Sequence, residues 1–115
     1  METATCTDKC RTVMPAAEDA LYIIAGKWKV RIIIALASGD KRFNELQRTL
    51  TGISARVLSN ELKDLELNGL VSRKTLDNGT VLYVRNAYAD SLRNVMHELV
   101  QWGIGHKEKI RNREI

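Results

Sequence analysis

The chain has no long hydrophobic run. Its longest apolar stretch, residues 32–37, falls far short of the roughly 20 residues that cross a bilayer. The N-terminus carries Glu2, Asp8, Lys9 and Arg11 where a secretory signal would place its apolar segment. A cytoplasmic location is therefore expected, with no membrane partner. Cysteine is scarce, with Cys6 and Cys10 making up the whole complement, and in a reducing compartment both are expected as thiols. His97 and His106 lie far along the chain from them, so a four-ligand zinc set is not in view and neither metal nor cofactor is expected. Also missing are a nucleophile-and-base pattern, a glycine-rich phosphate loop and a distinctive pair of carboxylates, which argues against an enzyme. No internal repeat or low-complexity linker breaks the chain.

At 115 residues the chain has room for one domain and one core. Apolar residues make up 44% and charged residues 28%, the balance of a globular protein rather than a disordered or fibrous one. The formal charge is +4 and the isoelectric point near 9.3, a mildly basic surplus that suits a polyanionic partner.

Residues 1–13 are polar and aperiodic and read as a flexible arm. Pro15 fits the first position of a helix, with Glu18 and Asp19 favouring the positive end of its dipole. Gly26 offers that helix a stop. Residues 28–37 are apolar almost all round and read as a buried central helix ended by Gly39, although the Ile32-Ile33-Ile34 run has strand propensity. Asn44 is placed to cap the next helix, with Gln47 returning the bond and Phe43 as a staple. Gly52 then permits a tight turn and Ser54 is an N-cap for the helix after it. On that helix Leu58, Leu62 and Leu65 share one face, while Arg56, Asn60 and Lys63 project from the opposite side. Asn68-Gly69 ends it. Residues 70–76 and 80–85 read as two strands about Asp77-Asn78-Gly79, a hairpin signal. From about Tyr88, apolar residues recur at helical spacing until Gly103 and Gly105 loosen the chain, and residues 106–115 read as a frayed, charged tail.

Two short helices joined by a tight turn and followed by a hairpin make a winged helix-turn-helix. The expected class is α+β, mainly helical, with N- and C-terminal dimerisation helices added and residues 14–105 as the domain. A helix that reads the major groove must show small polar and basic side chains to base edges. Arg56, Asn60 and Lys63, with Ser59 beside them, are that set. Ser54 and the amides at the start of the same helix suit a phosphate oxygen. Lys41 and Arg42 ahead of the motif, and Arg73 and Lys74 on the first wing strand, suit the backbone of double-stranded DNA. A rival class is a winged-helix protein-interaction module that does not touch DNA; for that module, neutralising Arg56 and Lys63 changes nothing.

The segments Ile24-Ala25-Gly26-Lys27-Trp28-Lys29, Lys41-Arg42-Phe43-Asn44-Glu45-Leu46, Gly52-Ile53-Ser54, Asn68-Gly69-Leu70-Val71 and Trp102-Gly103 resemble the HxlR-type winged helix-turn-helix transcriptional regulators of bacteria over residues 15–105. The resemblance implies a small homodimeric repressor or activator without a separate effector domain, its dimer built by the N-terminal helix and the long C-terminal helix. It names no small-molecule effector. By the stripe they form, Leu92, Val95, Met96, Leu99 and Trp102 are the expected dimer contacts, helped by Leu21 and Ile24. Many members place a cysteine directly before the proline that opens the first helix, and some use it as a redox or electrophile sensor. Met14 stands there in this chain. Cys10, and to a lesser degree Cys6, are the remaining thiol-switch candidates, with Lys9 and Arg11 favouring the thiolate of Cys10. A further departure is Arg85-Asn86-Ala87-Tyr88-Ala89, where the family usually carries a threonine and a glycine.

Overall fold

The computed structural model describes residues 8–113. Five α-helices, a two-stranded sheet and one 3₁₀ turn follow in the order α1 (Asp8–Ile24), α2 (Lys29–Ala37), α3 (Phe43–Thr49), α4 (Ala55–Leu67), β1 (Val71–Thr75), β2 (Val81–Arg85), a 3₁₀ helix (Ala87–Leu92) and α5 (Arg93–Asn112). This is the mainly helical winged helix-turn-helix that the sequence implies. No helix among the described residues is long and apolar enough to cross a membrane.

The core is a block where α2, α3, α4 and the base of the hairpin meet. Ile32 and Leu36 from α2, Leu46 from α3 and Leu58, Leu62 and Leu65 from α4 are buried there with Leu70 and Val71. Ile32-Ile33-Ile34 is helical despite its β-propensity, because burial of Ile32 and Ile33 against α3 and α4 outweighs the few tenths of a kcal/mol that β-branching costs a helix. Gly39, with φ at 146°, ends that segment in a conformation that side chains with a Cβ rarely adopt.

The first turn of α3 is built differently from the expected capping by Asn44. Arg42 is the N-cap, and Glu45, three residues on, accepts the Arg42 backbone N–H at 2.8 Å. That bond, made before any side-chain contact is counted, holds the Glu45 carboxyl below its usual range, with the Arg42 guanidinium adding to it. An arginine side chain has no acceptor to offer in return, so only half of a capping box is made.

In the hairpin Val71 pairs with Arg85 and Thr75 with Val81 in antiparallel register. Leu76 N–H donates to the Thr80 carbonyl at 2.8 Å across the tip. A rung that the sequence did not announce lies on the far side of β2: Lys41 and Tyr83 exchange backbone hydrogen bonds of 3.1 and 2.7 Å. The loop before α3 is thereby tied to the wing. Asn86 locks the other end, donating to the Gly69 carbonyl at 3.0 Å and accepting from Ser72 Oγ at 2.7 Å.

Both terminal helices exceed the sequence reading. Helix α1 begins at Asp8 and carries Pro15 inside it, so part of the expected arm is helical and Pro15 is not its first residue. Nothing in residues 9–14 breaks a helix, and a proline in the interior removes one hydrogen bond without ending it here. Helix α5 runs through Gly103 and Gly105 to Asn112, and Arg113, with φ at 57°, ends it. Each glycine costs about 1 kcal/mol against alanine, yet Trp102 stacks on His106 across that stretch with centroids 4.8 Å apart, and beyond it Arg111 pairs with Glu108.

Candidate nucleic-acid interface

Ser54 sets the start of α4, its Oγ accepting the Val57 backbone N–H at 3.1 Å. Gly52, with φ at 91°, makes the turn that brings the chain there from α3, and Gln47 Nε2 donates to the Ile53 carbonyl at 3.4 Å across it. With Leu58, Leu62 and Leu65 buried, the rotation of α4 about its axis is fixed. At about 100° per residue, Arg56, Asn60 and Lys63 then fall within one narrow sector of the outer face. All three are exposed, as expected of readers of base edges, whereas Ser59 is half-buried at the margin of that sector.

Each flank of α4 is tied down by an ion pair. On one side Arg73 Nε of β1 lies 3.5 Å from Glu66 Oε2. On the other, Lys29 of α2 donates to Glu61 at 3.0 Å and approaches Asp64 at 3.4 Å. Burial alone would lower the affinity of the Lys29 ammonium for its proton, but the two carboxylates more than offset it and the pKa is raised. Glu61 precedes Lys63 in α4 while Asp64 and Glu66 follow it, and only packing shows which partners these acids meet.

In the wing Arg73 and Lys74 point to opposite faces of β1, as neighbouring strand residues do. Arg73 shares the face of buried Val71 and turns toward α4 and Glu66, while Lys74 points away and is exposed. Between wing and helix lies a polar groove of about 490 Å³ lined by Glu66, Ser72, Arg73 and Asn86. Lys41 is half-buried, its ammonium 3.1 Å from Ser38 Oγ, and Arg42 is exposed beside Glu45 at 3.4 Å.

The expected dimer stripe divides. Ile24 is buried within its own chain, and Leu92 and Met96 pack against the core. Leu21, Val95, Leu99 and Trp102 are left exposed, Trp102 to 69%. Cys10 is half-buried on α1 rather than carried on a loose arm, and Cys6 lies outside the described residues.

This architecture, a helix with a polar basic face set between a hairpin and a supporting helix, defines a winged helix-turn-helix DNA-binding regulator. The family model described as HxlR-like helix-turn-helix matches residues 23–111, and the chain belongs to that family. It is 39% identical to YkvN of Bacillus subtilis, an uncharacterized HTH-type transcriptional regulator, over 83 residues that make up 70% of either chain. It is 33% identical to YodB of Bacillus subtilis, an HTH-type transcriptional regulator, over 93 residues covering 79% of this chain and 83% of YodB. Among solved structures, the redox regulator HypR in its reduced form superposes with a TM-score of 0.76 at 28% identity, covering 84% of this chain and 98% of HypR. These relatives are transcriptional regulators rather than enzymes, and so is this protein.

Proposed function

We propose that the protein binds a specific operator in duplex DNA as a two-fold homodimer, with α4 in the major groove and the wing on the backbone or in the minor groove. The carrying observation is the outer face of α4, where Arg56, Asn60 and Lys63 stand exposed together on a helix whose other sides are packed or ion-paired. Arginine, asparagine and lysine are the side chains that match guanine and adenine edges. Ser54 and the first amides of α4 hold a phosphate oxygen, and Lys41, Arg42 and Lys74 add backbone contacts. Arg73 joins them by leaving Glu66.

Surface area and shape support the dimer. The chain exposes 8712 Å², where a compact monomer of 13.0 kDa exposes about 6300 Å². Its radius of gyration is 17.4 Å against about 13 Å for a compact chain of this length. On the terminal helices Leu21, Val95, Leu99 and Trp102 are exposed, and they are the apolar groups a second copy covers. Two copies of α4 then read half-sites about 34–36 Å apart, or a multiple of that spacing.

The test is selection of duplexes from a random pool, followed by affinity for the selected site. Alanine at Arg56, Asn60 or Lys63 is expected to cost about 1–3 kcal/mol each and to relax the preferred sequence. Wild-type affinity in the triple variant overturns the assignment.

A further inference from the structure

A cavity of about 230 Å³ lies where the end of α2, the last residue of β2, the 3₁₀ helix and the start of α5 meet. Ile33, Ile34 and Ala37 of α2, Ala89 of the 3₁₀ helix and Met96 of α5 make its apolar lining. Ile33 and Ala89 are buried and Met96 packs against the core, so that lining is held in place by the central block. Two cations, Arg85 and Arg93, complete it. None of these residues belongs to the exposed set Leu21, Val95, Leu99 and Trp102 assigned above to the second copy.

The two guanidinium groups share a single carboxylate. Asp90 Oδ1 accepts a hydrogen bond from Arg85 Nη1, while Arg93 Nη2 stays 3.7 Å from the same oxygen, beyond hydrogen-bond reach. The bond from Arg85 and its charge hold the Asp90 carboxyl below its usual range, and Arg93 adds to this through charge alone. Among the described residues no other carboxylate pairs with either arginine. One positive charge is left over beside an apolar wall. The Arg85 side chain is only 26% exposed, so water screens it incompletely and a further carboxylate gains from reaching it.

Size and charge select the occupant. The volume is below the roughly 300–1,000 Å³ of pockets for drug-sized ligands, which leaves room for one small ring or short chain. An apolar body suits the aliphatic lining, and a carboxylate suits arginine, whose planar donors grip it as a fork. A neutral apolar molecule leaves Arg93 unanswered, and a multiply charged anion has to place charge against Ile33 and Ile34 without partners.

We infer that this cavity binds a small monocarboxylate with an apolar body, its ring or chain against Ile34, Ala37 and Met96 and its carboxylate on Arg93 and Arg85 in competition with Asp90. Arg85 ends the second wing strand, α2 is tied to α4 through Lys29, and α5 carries the exposed apolar groups of the dimer. A ligand that draws Arg85 from Asp90 therefore acts on elements that a DNA-bound dimer has to align, which makes the cavity an effector site. The effector role rests on the operator-binding reading above; the binding itself does not.

The probe is para-fluorobenzoate, with para-fluorobenzamide as its neutral counterpart, titrated against the full chain by fluorine NMR while backbone amide shifts locate the site. Shifts are expected around Ile34, Ala37, Ala89 and Arg93. The amide is expected to bind at least about tenfold more weakly than the acid, and Arg93→Gln to weaken the acid by a similar factor, as loss of a hydrogen bond to a charged group predicts. Ala37→Phe, at an exposed position, fills the cavity and is expected to remove binding, with circular dichroism checking the fold of each variant. Asp90→Asn is expected to tighten binding by freeing Arg85, whereas Asp77→Asn, the same charge change at the hairpin tip, is expected to leave it at the wild-type value. No binding to wild type, equal affinity for acid and amide, or equal gains in the Asp90 and Asp77 variants overturns the inference. So does binding seen only in a Leu99→Asp monomer, because a second copy then covers the cavity. With the selected duplex, saturating para-fluorobenzoate is expected to change the affinity of wild type and not of Ala37→Phe, and an unchanged affinity in wild type overturns the effector role. Failure of the operator reading looks different: wild type then selects no site while the acid still binds.

Discussion

Helices α4 and α5 carry apolar residues at the same helical spacing, yet one is half inside the protein and the other has no buried residue along its length. In α4, Leu58, Leu62 and Leu65 meet α2, α3 and the hairpin base, and each is at most 1% exposed. In α5, Leu99 is 48% exposed and Val95 46%. The central block satisfies its apolar face within one chain; the terminal helices do not. The first fixes the outward direction of Arg56, Asn60 and Lys63. The second leaves its apolar groups uncovered within the chain, and in the proposed dimer the distance between two copies of α4 is set by helices outside the central block.

The largest effect that breaks this contrast is expected from Leu65→Ala. A fully enclosed leucine truncated to alanine costs about 2–5 kcal/mol, and urea unfolding is expected to show that loss at every protein concentration. A variant as stable as wild type removes the claim that the central block is a closed core.

A smaller loss follows from Lys29→Ala, which unties α2 from α4. Hydrogen bonds to charged groups of this kind contribute roughly 1.5–3 kcal/mol, and the partial exposure of the Glu61 and Asp64 side chains, 22% and 56%, places the expected cost near the lower end. The pH dependence has a definite sign. Because the folded pKa of Lys29 is raised above its ordinary 10.5, its contribution is complete below that value and is lost as pH rises through the folded pKa. The stability gap between wild type and Lys29→Ala is therefore expected to narrow in alkali. A gap that stays constant through that range argues against the ion pair as its source.

Least costly to the single chain is Leu99→Asp. Surface substitutions of this type usually change monomer stability by no more than about 0.5 kcal/mol, but assembly is expected to be lost. Sedimentation at micromolar concentration is expected to give a dimer for wild type and a monomer for the variant, whose unfolding midpoint no longer depends on protein concentration. Unchanged mass in Leu99→Asp, or a monomeric wild type, places the dimer elsewhere or nowhere.

The motif was legible because its signals are local. Gly52 and Ser54 mark a turn and a cap that need only their own backbone neighbours, and the leucines of α4 fix its inner face by spacing alone. Asp77-Asn78-Gly79 marks the hairpin in the same way. What was not legible depends on contacts distant in sequence or on the interplay of neighbours. Asn44 had the right chemistry to cap α3, but the chain enters the helix at Arg42 because its N–H meets Glu45. Arg73 and Lys74 are one residue apart and looked alike, until the strand sent them to opposite faces and Glu66 met one of them. Leu92 and Met96 sit in the same periodic run as Leu99, and only the docking of α5 beside the core decides which of them turn inward.

By itself, then, the sequence determined the order of the elements, the inner face of α4 and the residues free to point outward from it, since caps, turns and helical periodicity act within a few residues. The tertiary structure alone decided what lies beside that face: the wing on the Glu66 side, the start of α2 on the Glu61 and Asp64 side, and the rung between Lys41 and Tyr83 that ties the loop before α3 to the wing. Those contacts join residues tens of positions apart, and their geometry is fixed by how the buried leucines and isoleucines pack together, which no local pattern encodes.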